Sequence, residues 1–346
     1  MEEQYYDQAI SFKNLYKAMK RCCRNVRWKD SVVGYEANGL RNTYELQQML
    51  LNGTYKISPY QHFTIYEPKK REIVATRMKD RQFQMSLCES GLYDDVVEHF
   101  VRDNPACQKY KGTDFTLNRM TKHLRRYYIE NGIDGWVLKC DIHHFFPSTQ
   151  HPVAYSAMED RVCDPRVLRE VGRVIDSFDE GMGLGCQISQ LVELAVLDDL
   201  DHFIKERLHI KHYLRYMDDF ILIHPDKAHL QFCLEQIREH LRNIGLQLNA
   251  KTSLYPLRQG VFMMKWHFYL KPSGKIIQRL DASKYNHERR RMRKLYAKEV
   301  RGEVPPGTTG KSLEAFMSNA ERGDTFNKRT QMYHYFYQLK GENHHE

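Results

Sequence analysis

His212-Tyr-Leu-Arg-Tyr-Met-Asp-Asp-Phe-Ile-Leu-Ile223 places two adjacent carboxylates, Asp218 and Asp219, between two apolar runs. The flanking aliphatic and aromatic residues predict a β-hairpin with the Asp pair at its tip. Strand positions disfavour Asp, and like charges side by side repel. Such a pair is either a solvated turn or a site whose repulsion a cation offsets, most commonly a divalent metal ion. Two features favour the metal. An aromatic, Tyr216, precedes the pair, and upstream a second apolar strand, Trp136-Val-Leu-Lys-Cys140, runs into Asp141-Ile-His-His-Phe-Phe146. Three carboxylates shared between two strands form the pattern of a two-metal centre for nucleotidyl transfer.

The 346 residues can bury a substantial core in two or three subdomains. The chain is 41% hydrophobic and 28% charged, without a low-complexity tract or internal repeat. No apolar stretch reaches the roughly 18–20 residues that span a bilayer. The start, Met-Glu-Glu-Gln-Tyr-Tyr-Asp7, is acidic and unlike a signal peptide. A cytoplasmic protein with no membrane partner is expected. Eight cysteines without a Cys-x-x-Cys pair argue against a zinc ribbon or a disulfide framework and for a reducing compartment. The terminal His-His-Glu346 reads as a frayed tail rather than a metal site.

Net charge is +9, and residues 271–346 hold 16 Lys/Arg against 9 Asp/Glu, a balance of +7. Charge so concentrated points to contact with a polyanion. Its densest part is Arg289-Arg290-Arg291-Met-Arg293-Lys294. By itself this run is as readily a solvated helix face. Beside a centre that handles nucleotides, it reads better as a contact to RNA or primer backbone.

Periodicity and breakers predict helices at 5–24, 42–51, 79–100, 113–131, 150–160, 165–176, 189–209, 226–244, 283–300 and 311–340. Strands are expected at 63–66, 72–75, 136–140, 212–224 as the hairpin, 246–249, 261–269 and 275–280. The order runs from mixed α/β through α+β to all-α and basic. That is an α+β fold in the right-hand polymerase layout, with an antiparallel palm sheet carrying the acids. The expected domains are an N-terminal helical extension (1–30), fingers with part of the palm (31–135), a palm (136–270) and a basic helical thumb (271–346).

From about residue 25 to the end the chain resembles a reverse transcriptase. Asp141 with Phe145-Phe146 is similar to the palm motif after the first catalytic strand, and Gly185-Cys-Gln187-Ile-Ser189-Gln190 to the template-and-nucleotide motif. Tyr216-Met-Asp-Asp219 is similar to the metal motif, Gly245-Leu-Gln-Leu-Asn-Ala-Lys251-Thr252 to the motif after it, and Phe262-Met-Met-Lys-Trp-His267 to the primer grip. Most relatives place Gln-Gly before three residues and then Ser-Pro. Here Leu184 replaces that Gln and Gln190 that Pro, which resembles reverse transcriptases of diversity-generating retroelements. Tyr66-Glu-Pro-Lys-Lys-Arg71 and Lys79-Asp-Arg81-Gln-Phe-Gln84 resemble their fingers motifs. One departure is Gln108 where many relatives have Arg before the Lys-Gly-Thr, so triphosphate contacts from this segment fall to Lys109 or Lys111.

The resemblance implies two Mg²⁺ ions, or Mn²⁺, with Asp141 and Asp218 as bridging ligands, Asp219 completing or supporting the site, and the Ile142 carbonyl adding an oxygen. Nucleotide contacts are expected from Arg71, Lys111, Phe146, Leu184, Gly185 and Gln187. Arg71 can grip phosphate bidentately. Phe146 would exclude a 2′-hydroxyl or simply pack in the palm, while Phe145 faces the core. Ser189 reads as an N-cap of the helix that follows. Arg289, Arg290, Arg291, Arg293 and Lys294 would hold RNA and primer. The implied activity is error-prone, adenine-mutagenic copying of a template-repeat RNA into cDNA, which diversifies a variable gene. Partners would be template RNA, the cDNA or primer, dNTPs and a small basic oligomeric accessory variability protein, in a bacterial or phage setting. Retron-like, defence-associated or group II-intron-like reverse transcriptases are the nearest alternatives, and an inactive RNA-binding scaffold the alternative outside enzymes.

Overall fold

The computed structural model describes residues 4–66 and 70–341. Three residues of the expected fingers motif, Glu67, Pro68 and Lys69, lie outside the described residues, as does the terminal His-His-Glu346. The chain divides into two compact units, one of residues 1–112, 140–220 and 232–252, the other of 113–139, 221–231 and 253–346.

Among the described residues nine strands form three antiparallel sheets. A two-stranded hairpin pairs β1 (Gln61–Ile65) with β2 (Arg71–Ala75). A four-stranded sheet has the order β4 (His212–Tyr216), β5 (Asp219–His224), β3 (Trp136–Asp141), β6 (Ser253–Pro256). A third sheet stacks β7 (Val261–Met263), β8 (Trp266–Leu270) and β9 (Ile276–Leu280) in sequence order. Val137, Leu138 and Cys140 are fully buried, as are Phe220 to Ile223 within 1%. Continuous apolar runs here are strands covered on both faces.

In the first unit the expected helix at 5–24 is two helices, Gln4–Ile10 and Phe12–Cys22, because the Ser11 hydroxyl accepts from Asn14 N at 3.3 Å and starts the second. The expected helix at 79–100 runs Met78–Leu87 and Tyr93–Val97, joined through a kink at Gly91. Its φ is 156°, and a Cβ there would lie 1.9 Å from the Tyr5 ring, so only glycine lets the two segments close. Helices His151–Glu159 and Pro165–Ile175 match expectation, the second capped by Asp164, which accepts from Arg166 N at 2.9 Å. The helix expected at 189–209 starts earlier and breaks at Leu197, giving Gln187–Val196 and Asp198–His202. Ser189 is therefore inside a helix; the N-cap is Cys186, so that capping expectation is corrected. The strand expected at 246–249 reduces to one bridge between Leu248 and Ile142.

In the second unit Thr113–Asn131 forms as expected, burying Leu117, Met120, Leu124 and Tyr127 at helical spacing. The segment 261–269 splits into β7 and β8 because Met264 and Lys265 both take positive φ, 51° and 69°, as a two-residue hairpin turn requires. β6 was not expected from the sequence. Three helices follow, Ala282–Val300, Thr308–Ala320 and Phe326–Lys340, around buried Tyr285, Met292, Leu313, Met317, Met332 and Phe336. Among the described residues no disulfide joins any of the eight cysteines, and no helix is long and apolar enough to cross a membrane.

Candidate active site

The two aspartate-bearing strands are tied to each other through backbone. Ile142 N donates to the Asp218 carbonyl at 3.2 Å, His143 N to Gln247 O at 2.8 Å, and Asn249 N to the Asp141 carbonyl at 2.7 Å. Residues 141–143 are thus held between the hairpin tip and the 247–249 segment. The hairpin turns through Met217 and Asp218, with Met217 at φ 57° in the left-handed region. A two-residue turn needs such a residue, and for a side chain as long as Met it carries strain that the surroundings must hold.

Arg215 does that holding. It is completely buried, and Nη1 donates to the Met217 carbonyl at 3.1 Å. Its Nε and Nη2 clamp the two oxygens of Asp201 at 2.6 and 2.5 Å, and Asp201 also accepts from the Tyr213 hydroxyl. Asp201 is equally buried. A buried bidentate pair of this kind fixes geometry because neither charge tolerates losing the other.

Beside the hairpin is a second buried carboxyl. Glu193 is fully buried, its Oε2 accepts from the Thr149 hydroxyl at 2.9 Å, and among the described residues its Oε1 has no partner. Burial pushes its pKa well above the ordinary range, the Asp218 charge adds to this, and the Thr149 hydroxyl opposes it. The balance favours the protonated acid.

Asp218 opens into a cavity of about 820 Å³ within the first unit. Arg71 from β2, Phe146, Leu184 and Asp218 all line it, so four residues singled out in the sequence meet there. Tyr60, Phe178 and His144 line it too. Tyr60 stacks on Phe178 with centroids 4.9 Å apart and hydrogen-bonds Ser177 at 2.6 Å. Val74 N donates to the Leu184 carbonyl at 2.9 Å, tying the β1–β2 hairpin to the Gly-rich segment. Gly185 has φ 123°, and a Cβ there would come within 3.0 Å of the Val74 carbonyl. Glycine allows this close approach.

Other expected residues lie apart from the cavity lining. Asp141, Asp219 and Ile142 sit at the strand ends, Gln187 opens its helix, and Gln190 rather than Gln187 faces the cavity. Lys109 is engaged by Asp94 at 3.2 Å and by the Tyr93 ring. Lys111 is half-buried, and burial with the nearby Arg102 lowers its pKa. In the second unit Arg290, Arg291, Arg293 and Lys294 are exposed, but Arg289 is not: its guanidinium lies over the Tyr335 ring at 5.4 Å.

The donor set suits a hard divalent cation, since carboxylates and carbonyls are its preferred ligands. Among the described residues, however, no group of three or more His, Cys, Asp or Glu side chains is disposed to hold a metal. The fold brings the backbones of Asp141 and Asp218 together, and both side chains are half-buried.

Sequence reading missed Arg215, Asp201, Glu193, His144 and Phe178. For Arg215 a signal existed: a lone cation inside an apolar strand must find a buried partner. For Glu193 the signal was a carboxylate on an otherwise apolar helix, Gln-Ile-Ser-Gln-Leu-Val-Glu-Leu-Ala-Val196.

Residues 69–259 match the sequence family described as reverse transcriptase (RNA-dependent DNA polymerase). No curated protein matches the chain by sequence. Among solved structures it is similar to apo telomerase from Candida tropicalis, with 11% identity over 82% of this chain and 58% of that one, at a TM-score of 0.56. A Candida albicans telomerase solved with a fragment of telomeric RNA aligns over 87% of this chain and 64% of its own, with 9% identity and a TM-score of 0.49. The chain thus spans about three-fifths of the telomerase chains it matches.

Proposed function

This chain belongs to the reverse transcriptase family of RNA-dependent DNA polymerases, and from that premise we propose that it copies RNA into DNA at the Asp141–Asp218–Asp219 centre. The observation that carries the reading is the convergence of Arg71, Phe146, Leu184 and Asp218 on one cavity, beside a hairpin backbone-bonded to the strand end at Asp141. A dNTP occupies the cavity. Arg71 grips its phosphates, Phe146 stacks against the sugar and rejects a 2′-hydroxyl, and Leu184 contacts the nascent base pair. The primer 3′-oxygen bonds to the α-phosphorus, the α–β phosphoanhydride breaks, and pyrophosphate leaves. Mg²⁺ or Mn²⁺ ions, held by Asp141, Asp218, Asp219 and the Ile142 carbonyl, would neutralise the triphosphate and activate the primer hydroxyl. Lys111 and Gln187 stand outside the cavity lining, where Gln190 is the amide present, and Gly185 acts by allowing the close approach of the Val74 carbonyl. Arg290, Arg291, Arg293 and Lys294 bind template or primer backbone, and Arg289 braces their helix. On this reading residues 1–30 are an N-terminal extension, 31–135 the fingers with part of the palm, 136–270 the palm and 271–346 the thumb.

We further propose the diversity-generating subtype, with an accessory variability protein as partner in a bacterial or phage cytoplasm. Leu184 supports it: an apolar side chain in the cavity wall reads shape and not polar edges. A Gln there could hydrogen-bond the pair, and losing one such contact costs about 1–3 kcal/mol of discrimination. The test is sequencing of cDNA made on a defined RNA. Errors concentrated opposite template adenine support the subtype, faithful copying rejects it, and absence of dNTP incorporation on any primed RNA rejects the polymerase itself.

A further inference from the structure

The helix Phe12–Cys22 buries Leu15, Ala18, Met19 and Cys22. Lys13, Lys17, Lys20 and Arg21 fall within an arc of about 100° on the opposite side, at 100° per residue. The charge continues past the helix. Residues 12–29 contain seven Lys/Arg and no Asp or Glu, so the second cationic region of the chain is at the other end from the first.

Three of these cations have protein partners. Arg21 pairs with Glu89, while Arg27 and Lys20 share Glu36 at 2.7 and 3.3 Å. Their pairing holds the helix to its neighbours. Lys13, Lys17 and Arg24 are exposed, and among the described residues none has an acidic partner. Directly after them Trp28 is 76% exposed, with the Lys29 ammonium 5.0 Å above its ring. A lysine face alone is explained by solubility. The exposed indole adds to this cationic stretch a flat surface on which a base can stack.

We propose that Lys13, Lys17, Arg24 and Trp28 form a binding face for single-stranded RNA, separate from the nucleotide cavity. The cations take phosphates and the indole stacks a base, a combination that binds single strands regardless of sequence. An acidic polypeptide would satisfy the charges but leaves the flat exposed indole without a matching surface. The face would hold template RNA that is not yet paired, or a flanking RNA segment.

The test uses the full chain with K13Q/K17Q/R24Q and, separately, Trp28→Ala. Probes are a labelled oligo-uridine and a blunt primer–template duplex, with affinity measured at several salt concentrations. On oligo-uridine the triple variant should lose about two units from the slope of log affinity against log salt, at 0.7 per phosphate contact. Trp28→Ala should weaken binding about 5- to 150-fold, the range for one stacked base. The charge-keeping K13R/K17R/R24K should retain the slope, and thermal melts should show all variants folded. Affinity for the blunt duplex should not change. An unchanged slope together with unchanged Trp28→Ala affinity overturns the proposal. So does an equal loss on the blunt duplex, which would put these cations on the primer–template path. Competition by polyglutamate as strong as by RNA, with no effect of Trp28→Ala, overturns it in favour of a protein-docking face. Binding is read without DNA synthesis, so an inactive polymerase would leave each result interpretable.

Discussion

Arginine appears in two opposite settings in this molecule. In the hairpin region Arg215 is 0% exposed, fixed by Asp201 on one side and the Met217 carbonyl on the other. In the helix Ala282–Val300, Arg290, Arg291 and Arg293 stand in solvent, and among the described residues the acidic neighbour in range, Glu288, is 3.9 Å from Arg291. The same guanidinium serves structure in one place and is available for a polyanion in the other. Burial decides between them, because a buried charge needs its partner whereas an exposed one is screened by water and salt. Arg289, folded over Tyr335, shows that even within the basic run one residue has the structural role.

The largest effect should come from the carboxylates on the turn that Arg215 braces and on the adjoining strand end. Asp218→Ala or Asp141→Ala should bring dNTP incorporation to background while the fold persists, since removing a charge from a repulsive cluster relieves strain. Primer extension alongside a thermal melt checks both halves. Near-wild-type activity in either variant would end the site assignment.

Breaking the buried pair comes next. Arg215→Ala should destabilise by about 3–5 kcal/mol, because Asp201 is left buried and uncompensated. Replacing both, Arg215→Met with Asp201→Leu, should recover most of that stability but not full activity, since the Met217 carbonyl loses its donor and the turn is freed. Denaturant melts and kcat measured separately from KM test the split. Full activity in the double variant would mean that Arg215 contributes stability only.

Leu184→Gln should lower misincorporation opposite template adenine by about 5- to 150-fold with total synthesis little changed. Equal error rates by deep sequencing would remove Leu184 as the fidelity determinant.

Arg290, Arg291 and Arg293 changed to Gln should cost little stability, within about 0.5 kcal/mol. They should flatten the salt dependence of primer–template binding by close to one unit per lost contact. Arg289→Gln should do the reverse, lowering the melting temperature without altering the salt slope.

The smallest effect concerns pH. Glu193 has its folded pKa raised by burial, so the folded state keeps a proton that the unfolded chain releases above the ordinary glutamate value. Its contribution is present at low pH and is lost as pH rises toward the folded pKa. Glu193→Gln should therefore show a flatter stability profile above that ordinary value. Denaturant titrations across pH decide it, and identical profiles would mean that Glu193 is charged in the fold.

Much of this was legible in the chain itself. The hairpin at 212–224, the strand ending at Asp141 and the helix Thr113–Asn131 follow from apolar periodicity, and local sequence suffices where an element's own pattern agrees with its burial. Breaks inside helices were less legible. The kink at Gly91 depends on Tyr5, some 86 positions away, and the split at Leu197 has no Gly or Pro to announce it. The short pairing of β3 with β6 is equally invisible in a four-residue segment.

The site divides in the same way. Sequence alone determined which residue types are present at the centre, because adjacent aspartates between buried strands have few physical uses. It also determined where positive charge accumulates, since charge needs no fold to be counted. Only the tertiary structure decided that Arg71, Phe146, Leu184 and Asp218 share one cavity, that Arg215 supports the turn while Arg290 faces water, and that burial raises the pKa of Glu193. Each of these depends on contacts between residues far apart in the chain. Desolvation, which sets the value of a charge, is a property of the packed neighbourhood and not of the residue.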